Sequence, residues 1–156
     1  MARIRTATLS ITPAMGTGIV VCEVTGELEF TPYELNELEE GLTFSLEGEL
    51  WGEDYYLHEH PEEYPDLIWR RMSRTEGADR LVTLPRRTIS GAGSSPRSYR
   101  LAKSVRRTAL EEDEERTGEE DWVTTDTDEI YAVLTLTNTY TQVSTTRTSN
   151  MVRLHS

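Results

Sequence analysis

The densest group of chemistry-bearing side chains in this 156-residue sequence is His58-Glu59-His60, followed by Glu62, Glu63 and Asp66. Side chains alternate across an extended strand, so His58 and His60 would share one face. Two imidazoles on one face, with carboxylates nearby, can hold a divalent metal. The competing reading is a polar loop with exposed histidines, and the sequence favours it. The only other histidine is His155, next to the C-terminus.

Gly52, five intervening residues and then His-x-His resembles the opening of the cupin metal motif. Tyr64 and Pro65 stand where that motif's glutamate is expected, and no second motif with its own histidine follows. The resemblance therefore implies at most a weak metal site at His58 and His60, and the sequence calls for no cofactor.

Other reaction chemistry finds little support. Cys22 is the only cysteine and shares a strand face with Val20 and Val24, the setting of a buried, inert thiol. No Gly-x-Ser-x-Gly nucleophile elbow occurs. The segment 90–98 (SGAGSSPRS) is glycine- and serine-rich but lacks the Gly-Lys-Ser/Thr ending of a phosphate-binding loop. It reads as a mobile loop. So does 111–121 (EEDEERTGEED), whose carboxylates repel one another and lack the ligand spacing of an EF-hand. With 28 acids in the chain, close carboxylate pairs arise by chance and carry no information.

Charge is the most informative feature. Residues 1–66 hold 15 acids and 2 bases, residues 67–110 hold 2 acids and 11 bases, and residues 111–156 hold 11 acids and 3 bases. The blocks of −13, +9 and −8 sum to the net −12. Three arrangements compete. Basic strands can pair with acidic strands inside the fold, for ~0.2–1 kcal/mol per pair. The basic face of one copy can dock on the acidic face of another, head to tail. Or Arg70, Arg71, Arg74, Arg86, Arg87, Arg97, Arg100, Arg106 and Arg107 can bind an external anion or an acidic partner. Nucleic acid is the least favoured ligand. The pI near 4.7 opposes attraction to a polyanion, and Tyr99 is the one aromatic residue between Arg70 and Arg107. A second candidate surface is the aromatic group Trp51, Tyr55, Tyr56, Tyr64 and Trp69, suited either to a contact with another chain or to plugging the end of a core.

The elements that must position these residues are strands. Val20, Cys22, Val24, Gly26, Leu28 and Phe30 alternate with Glu23, Thr25, Glu27 and Glu29, the period of a half-buried strand with an acidic outer face. Leu42, Phe44, Leu46, Gly48 and Leu50 repeat the pattern. The segment 128–141 is apolar or threonine-rich on both faces, which predicts a central strand, with 146–154 returning beside it after a turn near 142–145. Thr135, Thr137, Thr139 and Thr141 would form one outward row, open to strand addition if that strand lay at an edge. Segments 2–11, 67–72, 80–89 and 99–109 complete the set. One helical crossover is predicted at 31–40, with Thr31 as N-cap, Pro32 at the first helical position, Glu34 as capping-box partner and Gly41 as the stop.

The fold expected is therefore all-β: a single antiparallel β-sandwich domain over 1–156, Greek-key, immunoglobulin-like or jelly-roll-like in plan, of about eight strands with at most one short helical crossover. No apolar run approaches the ~18–20 residues of a membrane span, and 1–11 lacks the apolar stretch of a signal peptide. With a single cysteine, this predicts a soluble chain in a reducing cytoplasm. The function expected is non-enzymatic: a structural or interaction protein acting through self-association or a heterologous protein partner. The alternatives are a small metal- or ligand-binding barrel using His58/His60, and an anion-binding module using the arginines.

Overall fold

Alternation along the first third of the chain becomes two long strands, Arg3–Ala14 (β1) and Ile19–Glu29 (β2), paired antiparallel. The computed structural model describes residues 1–14, 18–53, 55–58, 69–71, 78–110, 122–124 and 127–155, with side chains described for 1–14, 18–52, 80–110 and 129–153. In β2 the residues Val20, Cys22, Val24 and Leu28 are buried as their spacing requires. On β1 the inward set changes phase, from Ala2 and Ile4 to Ala7, Leu9 and Ile11. A β-bulge at Arg5 absorbs the extra residue, since Ile4 faces Leu28 while Thr6 already faces Glu27. The strand runs on through Pro13 to Ala14, which an edge strand tolerates because one side of it needs no N–H.

The crossover forms as its caps dictate. Pro32–Glu39 (α1) starts at Thr31, whose side chain accepts from the Glu34 N–H while the Glu34 carboxylate accepts from the Thr31 N–H. Gly41, at φ 111, makes the left-handed exit that other residues resist. Leu38 is the fully buried residue of this helix and anchors it to the core.

The second layer is built on Phe44–Glu53 (β3). It continues after one residue as Tyr55–His58 (β4), and the chain returns as Trp69–Arg71 (β5) and Ala78–Thr83 (β6). Arg87–Ile89 (β7) follows, and Arg97–Arg106 (β8) crosses back to the first layer beside β2, ending in a 3-10 turn at Arg107–Leu110. Trp122–Thr124 (β9) leads into Thr127–Asn138 (β10), with Ser144–Thr148 (β11) and Val152–His155 (β12) returning along it. One sheet has the order β1-β2-β8. The other has β11-β10-β3-β6, with β12 also on β10 and β7 also on β3. Every pairing is antiparallel. The all-β sandwich expected from the periodicity is therefore present, as a three-stranded sheet packed on a six-stranded one.

A third, three-stranded sheet has the order β5-β4-β9. Among the described residues the two main sheets hold nine strands, in keeping with the expected number of about eight. Two expected strands also divide. Segment 80–89 breaks at Pro85, which cannot donate to a ladder, and 146–154 breaks at 149–151. The turn after β10 comes earlier than expected, at 139–142.

Between the sheets the core is continuous: Leu9, Cys22, Val24, Leu28 and Leu101 of one layer meet Leu46, Leu50, Ile130, Leu134 and Leu136 of the other. At Gly48 a Cβ would stand 2.8 Å from a Leu134 methyl and 3.1 Å from methyls of Leu101 and Leu84, so a larger residue would press on the leucines packed there.

Polar side chains close the two open seams. On one side the Asn150 amide accepts from Leu9 N–H (2.8 Å) and donates to Leu9 C=O (3.2 Å), pairing with β1 as a strand residue would. On the other, Lys103 donates to Thr83 C=O and Arg87 to Arg100 C=O. Tyr99 adds a link within the first sheet, its hydroxyl donating to Thr6 C=O at the bulge (2.8 Å). Among the described residues no helix is long and apolar enough to cross a membrane.

Candidate interaction surface

Among the described residues, ion pairs form between neighbouring strands, three of them joining the basic block to the first acidic block. Arg3 faces Glu29 and Arg5 lies 3.5 Å from Glu27 across β1–β2, while Arg100 binds the Glu23 carboxylate across β2–β8. Arg80 reaches Glu49 (3.0 Å), Arg86 reaches Glu47 (3.3 Å), and Arg153 reaches the buried Glu129 (3.1 Å). Of the arginines singled out by the sequence, Arg86 and Arg100 are thus engaged with carboxylates of neighbouring strands. Arg97 donates to the carbonyls of Ser90 and Gly91 and lies 5.6 Å over the Phe30 ring, so it holds the loop 90–98 against β2. Ser95 adds to this by accepting from Phe30 N–H (2.9 Å). Arg106 is exposed at the end of β8 opposite Ile19, and Arg107 is half-buried in the 3-10 turn. Among the described residues, Arg86 lies beside β3, Arg97 on the 90–98 loop, Arg100 on the β2–β8 pair, Arg106 at the end of β8 and Arg107 in the 3-10 turn.

The metal candidates lie largely beyond the described residues. His58 ends β4 opposite Trp122, with its side chain outside the described set, as is all of His60. Arg74, Tyr64 and the run 111–121 are also outside it, and Tyr55, Tyr56, Trp69, Arg70 and Arg71 are placed by backbone alone, in the β4–β5 pair. Trp51 is half-buried on the outer face of β3, across from Tyr131, with its indole N–H directed at Glu49 (3.4 Å). Cys22 is fully buried, and desolvation pushes its thiol up to about 11, far from a reactive thiolate.

The threonine row takes a different form from the one expected. β10 is an interior strand between β3 and β11, and it ends at Asn138, so Thr139 and Thr141 belong to the turn. The hydroxyls instead align across strands: Thr88, Ser45, Thr137 and Ser144 occupy one register line through β7, β3, β10 and β11. The edge position falls to β11, which is exposed at four of its five residues.

What the sequence did not single out is the end of the sandwich where α1, the chain start and the β10–β11 turn meet. There Met1, Ala2, Phe44, Leu136 and Val143, with Glu34, Asn138, Thr141 and Thr145, line a cleft of about 230 Å³. Phe44 and Leu136 belong to the core, so the cleft opens directly onto it. The large apolar residues exposed among the described ones are Met1 (72%), Tyr33 (72%), Tyr140 (82%) and Val143 (47%). Two of them line this cleft, and the other two adjoin lining residues Glu34 and Thr141. Small-molecule sites run to roughly 300–1,000 Å³, so a cleft of this size suits a single inserted side chain better than a metabolite. A groove of about 340 Å³ on the outer face of the larger sheet is polar, with its carboxylates Glu47 and Glu49 already paired to Arg86 and Arg80. The only sequence signal for the apolar end was the pair Tyr140 and Val143 in a turn otherwise made of threonine, asparagine and glutamine. Among known proteins, no family model matches this chain and no curated protein is significantly similar to it.

Proposed function

We propose that this protein acts by association rather than catalysis, as a building block that binds a second copy of itself. The observation that carries the reading is that exposed Met1 and Val143 line one core-connected cleft, with exposed Tyr33 and Tyr140 next in the chain to its lining residues Glu34 and Thr141. Apolar side chains scattered singly over a surface need no explanation, whereas a group of them around a cleft is the pattern of a contact site. The second copy is favoured as occupant because residues 130–156, which carry Tyr140 and Val143, contain no acid in a chain of net −12. Two copies meeting along that segment avoid the repulsion that their acidic surfaces impose elsewhere.

The ion pairs between strands bear on how such an assembly responds to salt. Among the described residues, Arg80, Arg86 and Arg100 of the basic block pair with Glu49, Glu47 and Glu23 of the first acidic block, so part of the opposite charge is engaged within the chain. Association through an apolar end should then survive salt, which screens the net repulsion between copies. Light scattering after size exclusion tests this. The expected result is a species heavier than 17.8 kDa at low and high salt, reduced to the chain mass by combining Tyr140→Ser with Val143→Ser. A mass of 17.8 kDa at every concentration and salt would overturn self-association and turn attention to a heterologous partner.

A further inference from the structure

The groove of about 340 Å³ on the outer face of the larger sheet lies where the chain breaks at Pro85, between β6 and β7. Its side chains are set by strand register. Leu46, Gly48 and Leu50 of β3 face the core, so Glu47 and Glu49 stand on the outer face. On β10, Thr135 lies opposite Glu47 and Val133 opposite Glu49. On β6, Thr83 lies opposite Glu49, and Arg86 comes from the break itself.

Two glutamates side by side would ordinarily attract a cation. Here each already holds an arginine: Glu47 Oε1 lies 3.3 Å from Arg86, and Glu49 Oε2 lies 3.0 Å from Arg80. The four charges cancel, which sets this groove apart in a chain of net −12. Among the described residues, Glu47 Oε2 and the hydroxyls of Thr83 and Thr135 take part in no hydrogen bond. Trp51 follows Glu49 on the same face and directs its indole N–H at Glu49 Oε1 (3.4 Å), so an aromatic ring stands at that end. The groove therefore combines unspent donors and acceptors, no net charge, and an apolar part made by Val133 and Trp51. That combination suits a neutral guest whose hydroxyls both donate and accept and whose C–H face is apolar. The ion pairs hold the lining side chains in place beforehand, which lowers the ordering cost of binding. The volume stands at the low end of the roughly 300–1,000 Å³ of small-molecule sites, enough for one ring.

We infer that this groove binds a sugar, as a single neutral pyranose ring; the inference goes beyond the self-association proposed above and does not depend on it. Glu47 Oε2 accepts from ring hydroxyls, and Thr83 and Thr135 donate to or accept from others. Arg86 donates through the N–H groups that its glutamate leaves unused. Val133 meets the apolar face of the ring.

The test is amide NMR of the whole chain titrated with glucose, galactose and mannose and with their methyl glycosides. The expected result is a saturable shift at Gly48, Thr83 and Thr135 with at least one of them, equal at low and high salt because the groove carries no net charge. Response to the methyl glycosides too marks the terminal unit of a glycan as the guest; response to the free sugars alone marks a monosaccharide. Thr135→Val and Glu47→Gln should each weaken binding by about fivefold, the loss of one hydrogen bond. Thr137→Val, on the same face outside the groove, should leave it unchanged. If Glu47→Gln disturbs the fold, as read by circular dichroism, the near-isosteric Thr135→Val decides alone. No saturable shift at those amides with any of the sugars, or shifts that Thr135→Val leaves as they are, would overturn the inference. So would a groove that responds instead to spermidine and loses that response at high salt, the behaviour of an acidic site. The solution mass of the same samples reports separately on self-association.

Discussion

Gly26 offers the sharpest test of how the first sheet is built. A Cβ added there would stand 2.0 Å from the Thr6 carbonyl oxygen, 2.7 Å from its carbon and 2.7 Å from the Tyr99 hydroxyl. The first two atoms are backbone, held by the β1–β2 ladder at the Arg5 bulge, so relief requires β1 itself to move. Overpacking a tight site costs typically ~1–3 kcal/mol. Displacing Thr6 also breaks the Tyr99 hydrogen bond, worth about 1 kcal/mol. Loss of glycine's freedom in the unfolded chain returns ~0.4–1 kcal/mol. Gly26→Ala should therefore destabilise by about 2–3 kcal/mol. For a domain of this size, with an m-value of about 2 kcal/mol/M, the urea midpoint falls by roughly 1–1.5 M. Tyr99→Phe alone should cost about 1 kcal/mol. Combined with Gly26→Ala it should cost less than the sum, because the phenylalanine removes one of the clashing atoms. A Gly26→Ala midpoint within 0.3 M of the natural protein, or strict additivity, would refute the placement of the Thr6 carbonyl over Gly26.

Other expectations follow from the seams, the ion pairs and the thiol. Asn150→Ala leaves Leu9 N–H and C=O without partners and should cost about 1–3 kcal/mol in urea denaturation. Asn150→Asp should cost at least as much, because it sets a carboxylate against the Leu9 carbonyl. Arg86→Ala and Arg100→Ala should each change stability by less than about 1 kcal/mol, since both side chains are more than half exposed. Cys22 should resist thiol reagents at pH 8 until the chain unfolds; labelling at the rate of a free thiol would contradict its burial. Its raised pKa has a consequence for stability. Above the ordinary thiol value of ~8.5 the unfolded chain releases a proton that the folded chain keeps, so stability falls as pH rises towards about 11. Cys22→Ala should flatten the first part of that decline, leaving the contribution of Tyr99, whose hydroxyl is also raised by burial.

Much of the fold was legible in the sequence because period-two alternation is a local property. The inward sets of β2 and β3, the two-faced character of β10 and the capping box of α1 each depend on residues within ten positions of one another. The β1 bulge was legible in principle as well, in the change of phase between Ile4 and Ala7, where two polar residues interrupt the alternation. The block segregation of charge was also plain in the sequence, but its meaning was not. Pairing inside one chain, pairing between copies and binding of an anion all draw on the same composition. Only strand order brings Arg100 beside Glu23 and Arg86 beside Glu47.

Tertiary structure alone decided which strand lies at the edge. Thr135 and Thr137 of β10 and Thr146 and Thr148 of β11 are chemically alike, and period-two spacing says nothing about which neighbours a strand will find. It is β3 on one side and β11 on the other that cover the β10 backbone, and the hairpin register that turns the backbone of Ser144, Thr146 and Thr148 away from β10. The apolar end has the same origin. Met1, Glu34, Thr141 and Val143 are scattered through the sequence, and they line one cleft only because the chain start, α1 and the β10–β11 turn meet at one end of the sandwich. A chain dictates its local periods through steric and hydrophobic preferences of near neighbours. Which distant groups meet, and which are left for another chain, depends on topology.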